Sequence, residues 1–399
     1  MSHIVEFSIE NLAGRGDVYT QTLDRYMNVF FGLNGSGKTS LLKILHSAMS
    51  GNSGILRNVP FRSAEVKIYS IQYDRVFTHT IEKKPTKPAK ERGRETDTTD
   101  VFTSFEELLD FSVTFQKGIP RAADFPDWKI KPRIREEHER GWRHRYLPTS
   151  RLYLGLKTRK ARLARTGLEL VSEEQLDLYF AETLQALWAD YYADIVTAIS
   201  EAQEDGLASI IKAIVSGKKP SRKTAQKVDI ETAYERVATF LERQGSPGVL
   251  GSLEDFEKDY NENEQLRSIV SDINEVEKRI AEAMAPRDKL QSLIRDMFSG
   301  NKEVCFRGRS IDVVTNSEED IGLNTLSSGE KHVLRILIET LLSGENSILI
   351  DEPEISMHVD WQRELIKTMR QLNPEAQLIL ATHSPEIMAD VSDDRIYRL

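Results

Sequence analysis

The segment GLNGSGKT, residues 32–39, combines residue types suited to binding phosphate groups. It matches Gly-x-x-x-x-Gly-Lys-Thr, in which the glycines let successive backbone N–H groups surround phosphate oxygens. The following run, KTSLLKILHSAM, has apolar residues at helical spacing, so a helix would add the partial positive charge of its amino end. Lys38 would reach the β and γ phosphates of a nucleotide, and Thr39 would bind Mg²⁺. The predicted nucleotide contacts are Asn34, Gly35, Ser36, Gly37, Lys38, Thr39 and Ser40.

Two adjacent carboxylates, Asp351 and Glu352, follow an apolar run in SILIDEPE. The run predicts a strand inside a sheet, so Asp351 emerges at the carboxyl end of that strand, where it can hold Mg²⁺. Glu352 occupies the next position, where it can orient a water molecule and take its proton. The alternative is an ordinary strand end with solvated charges. The presence of a phosphate-binding glycine loop in the same chain makes that alternative less favoured.

His383 stands at the end of the next apolar run, in LATHSP. In a nucleotide site, an imidazole at this place can contact the γ-phosphate and position the water. A capping or core histidine is the structural alternative. We predict that Glu352, His383 and Lys38 are the catalytic residues, and that Thr39 and Asp351 bind the metal.

Composition limits the kind of protein that carries these residues. The chain has 399 residues and a single cysteine, which excludes a disulfide framework within it and fits a reducing cytoplasm. We expect no signal peptide and no membrane segment. The net charge of −9 argues against general adhesion to nucleic acid, although residues 129–165 are strongly basic. That run is either a solvated linker or a phosphate-binding surface for nucleic acid.

The order of patterns along the chain predicts one α/β domain interrupted by helices. Strand patterns such as HIVEFSIENL and NSILIDE lie near the two ends, and long charged helical patterns fill the middle. We therefore predict an amino-terminal lobe over 1–155, a helical and short coiled-coil-like insertion over 156–299, and a carboxyl-terminal lobe over 300–399. The last long helix of the insertion is expected to stop near Pro286.

The turn in TLSSGEK precedes another helical pattern, and its small residues suggest that something approaches the backbone there. Taken alone, the turn reads as an ordinary serine cap with an acidic residue in the first helical turn. The residues concerned are Ser327, Ser328, Gly329 and Glu330.

Together these motifs resemble ABC-type P-loop ATPases, and within them the bacterial OLD, RecF and SMC-like branch. LSSGE is similar to the signature motif, EISMH after LIDEP to the D-loop, and ATHSP to the His switch. The resemblance covers about 1–155 and 300–399. It implies ATP and Mg²⁺ as ligands and two heads packed face to face. Each head would then place its Ser327–Glu330 turn on the γ-phosphate of the ATP that the other head binds.

The resemblance also implies a Gln switch that the sequence does not supply at the expected junction. That junction reads RYLPTSRLY, and it contains no glutamine. Gln72 in YSIQYD is an alternative without a clear place in the site, so the residue that completes the metal shell is left open.

Three functions remain compatible with such a head. The favoured one is a cytoplasmic sensor or assembly ATPase of a bacterial anti-phage system, resembling the ATPase subunits of PARIS, Septu and retron systems. It would act as a homodimer or a higher oligomer of dimers, with a separate effector such as a TOPRIM or HNH nuclease and a phage protein as trigger. The alternatives are a RecF- or SMC-like DNA-repair ATPase that uses 129–165, and an OLD-type ATPase without its own TOPRIM domain.

Overall fold

The computed structural model describes residues 2–83, 128–132, 142–149, 173–216, 230–243, 245, 250–298, 300, 302–315, 317 and 320–399. Most of the basic run 129–165 lies outside these residues, so the prediction of a nucleic-acid surface there is not addressed by the structure.

Strands lie towards both ends of the chain, and the longest described helices lie between them. In chain order, the strands are β1 (Ser2–Glu10), β2 (Val18–Thr22), β3 (Met27–Phe31), β4 (Ser63–Ser70), β5 (Arg75–Lys83), β6 (Trp128–Pro132), β7 (His144–Leu147), β8 (Lys302–Arg307), β9 (Ser310–Thr315), β10 (Asp320–Ile321), β11 (Ser347–Asp351), β12 (Gln377–Thr382) and β13 (Ile396–Arg398). The helices are α1 (Lys38–Ser50), α2 (Glu173–Ser216), α3 (Ile230–Arg243), α4 (Leu253–Glu262), α5 (Glu264–Met297), α6 (Ser328–Leu342) and α7 (Val359–Leu372).

A parallel sheet of order β13-β3-β12-β11-β7 forms the centre of the fold. Every residue of β11 and β12 is buried, which explains why their sequences are continuous apolar runs rather than alternating ones. The prediction of an α/β fold with parallel core strands is therefore confirmed. Because the strands are parallel, the segments that follow β3, β7, β11 and β12 all begin at the same edge of the sheet.

A second sheet is antiparallel, with the order β2-β1-β4-β5-β6. Its strand β4 alternates buried and half-buried residues, as expected for a sheet with one covered face. The apolar side of α1 shares one core cluster with residues of both sheets, for example Ile4 of β1 and Leu349 of β11. The α1 residues in this core are Leu41, Leu42, Ile44, Leu45, Ala48 and Met49.

The chain divides into two compact units. One comprises Met1–Ala186, Ser292–Cys305 and Ile311–Leu399, and the other comprises Leu187–Gln291 and Phe306–Ser310. In the second unit, α3, α4 and α5 bury a small apolar cluster of their own that includes Val237, Phe256 and Ile273. The predicted domain boundaries at 155 and 299 stay predictions.

The prediction that the last long helix stops near Pro286 is wrong, because α5 continues through it to Met297. A proline inside a helix removes one backbone hydrogen bond and costs about 3 kcal/mol. The helical spacing of apolar residues resumes beyond it, and Leu290 and Ile294 are fully buried. Burial of such side chains contributes about 1.5–3 kcal/mol each, which is enough to offset the cost of the proline.

None of the helices in the described ranges carries an apolar stretch of membrane-spanning length.

A buried ion pair joins β7 to α6 in the first unit. Arg145 Nη1 lies 2.6 Å from Glu339 Oε2, and the two side chains are 10% and 8% exposed. Arg335 approaches the other oxygen of Glu339 at 3.8 Å. Removing one member of a buried pair takes compensating charge away from the other members, so this carboxylate holds β7 beside α6.

We predict that Glu339→Gln lowers the free energy of unfolding by about 3 kcal/mol, because two buried guanidinium groups lose their counter-charge. The matched control is Glu364→Gln, which removes an exposed partner of Lys367 and should change stability by less than about 0.5 kcal/mol. Urea unfolding measures both variants. Equal unfolding midpoints for the two variants would show that the buried pair does not hold the strand.

Candidate functional site

The glycine loop connects β3 to α1 at the carboxyl edge of the parallel sheet. Gly35 and Gly37 have φ angles of 84° and 99°, in the left-handed region that favours glycine. A Cβ on Gly37 would also lie 2.9 Å from the Cβ of Ala13. Arg15 donates a hydrogen bond to the carbonyl of Ser36 at 2.8 Å. The turn that follows β1 therefore supports the loop.

Lys38 begins α1, and its side chain turns back into the loop. It is 5% exposed, and its Nζ donates to the carbonyls of Gly32 at 2.6 Å and Leu33 at 3.1 Å. The hydroxyl of Ser36 is buried and makes no hydrogen bond to the described residues. A cation bound to two carbonyls, beside a buried hydroxyl and the amino end of a helix, fits a bound phosphate group.

The other predicted loop residues surround this point. Asn34 and Gly35 are exposed at the tip of the loop. Thr39 and Ser40 lie in the first turn of α1 and are half-buried.

Asp351 ends β11 and is almost completely buried, at 1% exposure. Its Oδ2 accepts a hydrogen bond from the Thr149 hydroxyl at 2.6 Å, whereas its Oδ1 has no hydrogen-bond partner among the described residues. Burial raises the pKa of Asp351, and the hydroxyls of Thr149 and Thr39 and the charges of Lys43 and Lys38 oppose that rise. The structure thus brings together the two predicted metal ligands, Thr39 and Asp351. A buried carboxylate with a free oxygen beside hydroxyls fits a divalent cation.

Thr149 was not predicted from the sequence. It lies in the junction RYLPTSRLY, where the resemblance led us to expect a glutamine, two residues beyond the end of β7. Its position in the sequence could have indicated this role. The segment that follows a central parallel strand begins at the carboxyl edge of the sheet, where the site lies. Gln72, the other candidate for the Gln switch, is exposed in the turn between β4 and β5 of the antiparallel sheet.

Glu352 has a φ of 50°, an uncommon conformation for a residue with a side chain. Its N–H donates to the carbonyl of Ala381 at 2.7 Å, so the neighbouring strand holds this conformation. The side chain is 21% exposed, and burial and then the charge of Asp351 raise its pKa. Strained backbone and a raised carboxylate pKa are both common at catalytic bases.

His383 follows β12 and lies beside Glu352. Its Nδ1 is 3.7 Å from Glu352 Oε1 and 3.0 Å from Oε1 of Glu354, a carboxylate that was not predicted.

The turn before α6 has the geometry of a helix cap. Ser327 Oγ accepts from the N–H of Glu330 at 3.2 Å, and the Glu330 carboxylate accepts from the N–H of Ser327 at 2.6 Å. Ser328 is exposed as the first residue of the helix. Gly329 is buried, and a Cβ there would overlap the carbonyl oxygen of Ser356. This close approach within the chain accounts for the glycine, and the action of the turn on a second chain stays a prediction.

One known protein family matches most of the chain. A family model described as "AAA domain, putative AbiEii toxin, Type IV TA system" matches residues 27–389, which include the glycine loop and His383. The chain belongs to this AAA family.

Two curated proteins resemble parts of this AAA-family chain. "Retron Vc95 probable ATPase" of Vibrio cholerae serotype O1 biovar El Tor is 30% identical over 97 residues, which are 21% of this chain and 19% of that protein. "Septu protein PtuA" of Bacillus thuringiensis is 31% identical over 91 residues, 19% of this chain and 23% of that protein. The matched stretch therefore spans about a fifth of the length of these relatives.

Among solved structures, the Smc head domain of Pyrococcus furiosus, bound to the C-terminal domain of ScpA, aligns with 98% of this chain and 92% of its own. The identity is 12% and the TM-score is 0.40.

We predict that Thr149→Val weakens binding of ATP in the presence of Mg²⁺ by about tenfold, because the variant removes a hydrogen bond to a buried charged group. Binding of ATP in EDTA should change much less, since the hydroxyl serves the carboxylate rather than the phosphates. Calorimetric titration of ATP in both conditions measures the difference. Thr149→Ser, which keeps the hydroxyl, should bind as the wild type does, and equal weakening in Ser and Val variants would contradict this role.

Proposed function

We propose that the chain binds and hydrolyses ATP at the carboxyl edge of the parallel sheet. The observation that carries the proposal is the grouping of Lys38, Thr39, Asp351 and Glu352 at one edge of the parallel sheet. The family match and the "probable ATPase" name of a relative support the same activity.

The geometry assigns a task to each group. Lys38 exchanges its two carbonyl partners for the β and γ phosphates, and the left-handed glycines present backbone N–H groups to them. Thr39 and Asp351 would hold Mg²⁺, which when bound neutralises charge on the phosphates. Glu352 takes the proton of the water that attacks the γ-phosphorus while the bond to ADP breaks. His383 positions that water and the γ-phosphate.

We predict that Lys38→Ala lowers ATP hydrolysis at least about a hundredfold, because the site loses the cation nearest the transferred phosphate. Lys367→Ala, which removes an exposed cation on α7, is the control and should hydrolyse ATP normally. Release of inorganic phosphate measures both. Normal turnover in a clean preparation of Lys38→Ala would remove this loop from the activity.

The proposal includes a face-to-face dimer in which each chain completes the other's site. Ser327 and Ser328 are exposed at the amino end of α6, where hydroxyls, N–H groups and the helix dipole would favour a phosphate. The resemblance to ABC-type ATPases implies the partner of this surface. That partner is a second copy of the chain with ATP bound.

We predict that Lys38→Ala and Ser328→Arg are each inactive alone and regain activity when mixed. The arginine blocks the space for the γ-phosphate of the partner, but a mixed dimer keeps one site with an intact lysine and an intact signature turn. With random exchange, about half of the dimers are mixed and about a quarter of all sites can work. Chains with different tags confirm exchange, and no regained phosphate release after complete exchange would contradict the shared site.

At the level of the cell, the proposal is a sensor or assembly subunit of a bacterial anti-phage complex that controls a separate effector, for example a nuclease. The names of the retron and Septu relatives support this role. The test is plating of phage on cells that carry the gene with its neighbours. Protection that is lost in Lys38→Ala supports the role, whereas absence of protection and sensitivity to DNA damage would favour the RecF- or SMC-like alternative.

A further inference from the structure

A third carboxylate, Glu354, lies under the loop that carries His383. It is 5% exposed, and its Oε1 accepts hydrogen bonds from the Thr382 hydroxyl at 2.7 Å and from the N–H of His383 at 2.9 Å. The same oxygen is 3.0 Å from Nδ1 of the His383 ring. Oε2 is buried and has no hydrogen-bond partner among the described residues. Two donors and the Nδ1 atom of the ring therefore converge on one oxygen of a buried acid.

This arrangement fixes which nitrogen of the imidazole carries a proton. Oε1 of Glu354 already accepts two hydrogen bonds, so Nδ1 must be protonated to donate a further one to the same oxygen. In the neutral ring Nε2 is then the unprotonated nitrogen, an acceptor for a water proton. The ring is 47% exposed, so it remains accessible to a ligand on its other side.

The contact between His383 and Glu354 also affects Glu352, which lies near the same nitrogen of the ring. Glu352 Oε1 is 3.7 Å from the same Nδ1, too far for a hydrogen bond, so the Nδ1–H faces Glu354 rather than Glu352. While Glu354 holds that N–H, the carboxylate of Glu352 stays available to take the proton of the attacking water.

We propose that Glu354 is a positioning residue, which acts through His383 by setting its tautomer and by keeping its Nδ1–H away from Glu352. The inference rests on the proposed hydrolysis of ATP for its functional meaning. The geometry of the pair stands independently of that activity.

The loop does not depend on this carboxylate alone. The Ser384 hydroxyl donates to Gln362 Oε1 at 2.8 Å, and Gln362 Nε2 donates to the carbonyl of Met357 at 3.0 Å. These bonds tie the loop after β12 to α7 through other atoms. A Glu354→Gln variant is therefore expected to fold, which makes its effect on His383 interpretable.

The first test reads the tautomer directly by nitrogen NMR of protein with ¹⁵N-labelled histidine, at about pH 8.5, where an ordinary histidine is neutral. Loss of one signal set in His383→Asn assigns the residue. Wild type and the surface control Glu364→Gln should show the proton on Nδ1. In Glu354→Gln the two tautomers should be mixed. A wild-type proton on Nε2, or an unchanged signal in Glu354→Gln, overturns the inference, whether or not the protein hydrolyses ATP.

The second test is a double-mutant cycle on phosphate release with Glu354→Gln and His383→Ala. If Glu354 acts through the histidine, Glu354→Gln lowers turnover about tenfold in the wild type and has no further effect in His383→Ala. Equal losses in both backgrounds mean a merely structural role and overturn the inference while leaving the ATPase intact. A wild type without ATP hydrolysis overturns the proposed function instead, and the NMR result then decides the geometry alone.

Discussion

A buried carboxylate must be compensated, and Asp351 is one of the most enclosed charged groups among the described residues, at 1% exposure. Its compensation comes from the Thr149 hydroxyl after β7, from Thr39 and Lys43 on α1, and from Lys38 at the glycine loop. These groups meet only because β3, β7, β11 and β12 run parallel and end at one edge. The packing of α1 between the two sheets then holds the loop against that edge. The unused Oδ1 marks where a cation would complete the balance.

The three acids of the segment DEPE lie close together in sequence but in different environments. Asp351 is enclosed by hydroxyls, Glu352 is partly exposed on a strained turn, and Glu354 is buried under donors from the next loop. Environment rather than residue type separates their tasks. The first would hold a metal, the second would take a proton, and the third would hold the histidine.

Local sequence predicted the parts of the site that depend on local chemistry. The glycine loop, the apolar run before Asp351 and the helical spacing after Lys38 each define one element with its reactive residue. Thr149 and Glu354 were missed because their importance arises from residues distant in the chain, Asp351 for the first and His383 for the second. The helix end predicted at Pro286 is wrong because the burial of apolar side chains beyond the proline outweighs one missing hydrogen bond.

We propose that Glu352 takes the proton during hydrolysis of ATP bound at this edge, and the variant Glu352→Gln removes that function alone. The amide fills the same volume but cannot accept the proton. We expect ATP with Mg²⁺ to bind to the variant about as tightly as to the wild type, while a single turnover slows by about 10²–10⁴-fold. Rapid-quench measurement of one turnover, with binding measured on the same preparation, gives both values. Hydrolysis at the wild-type rate in this variant would show that Glu352 is not the proton acceptor.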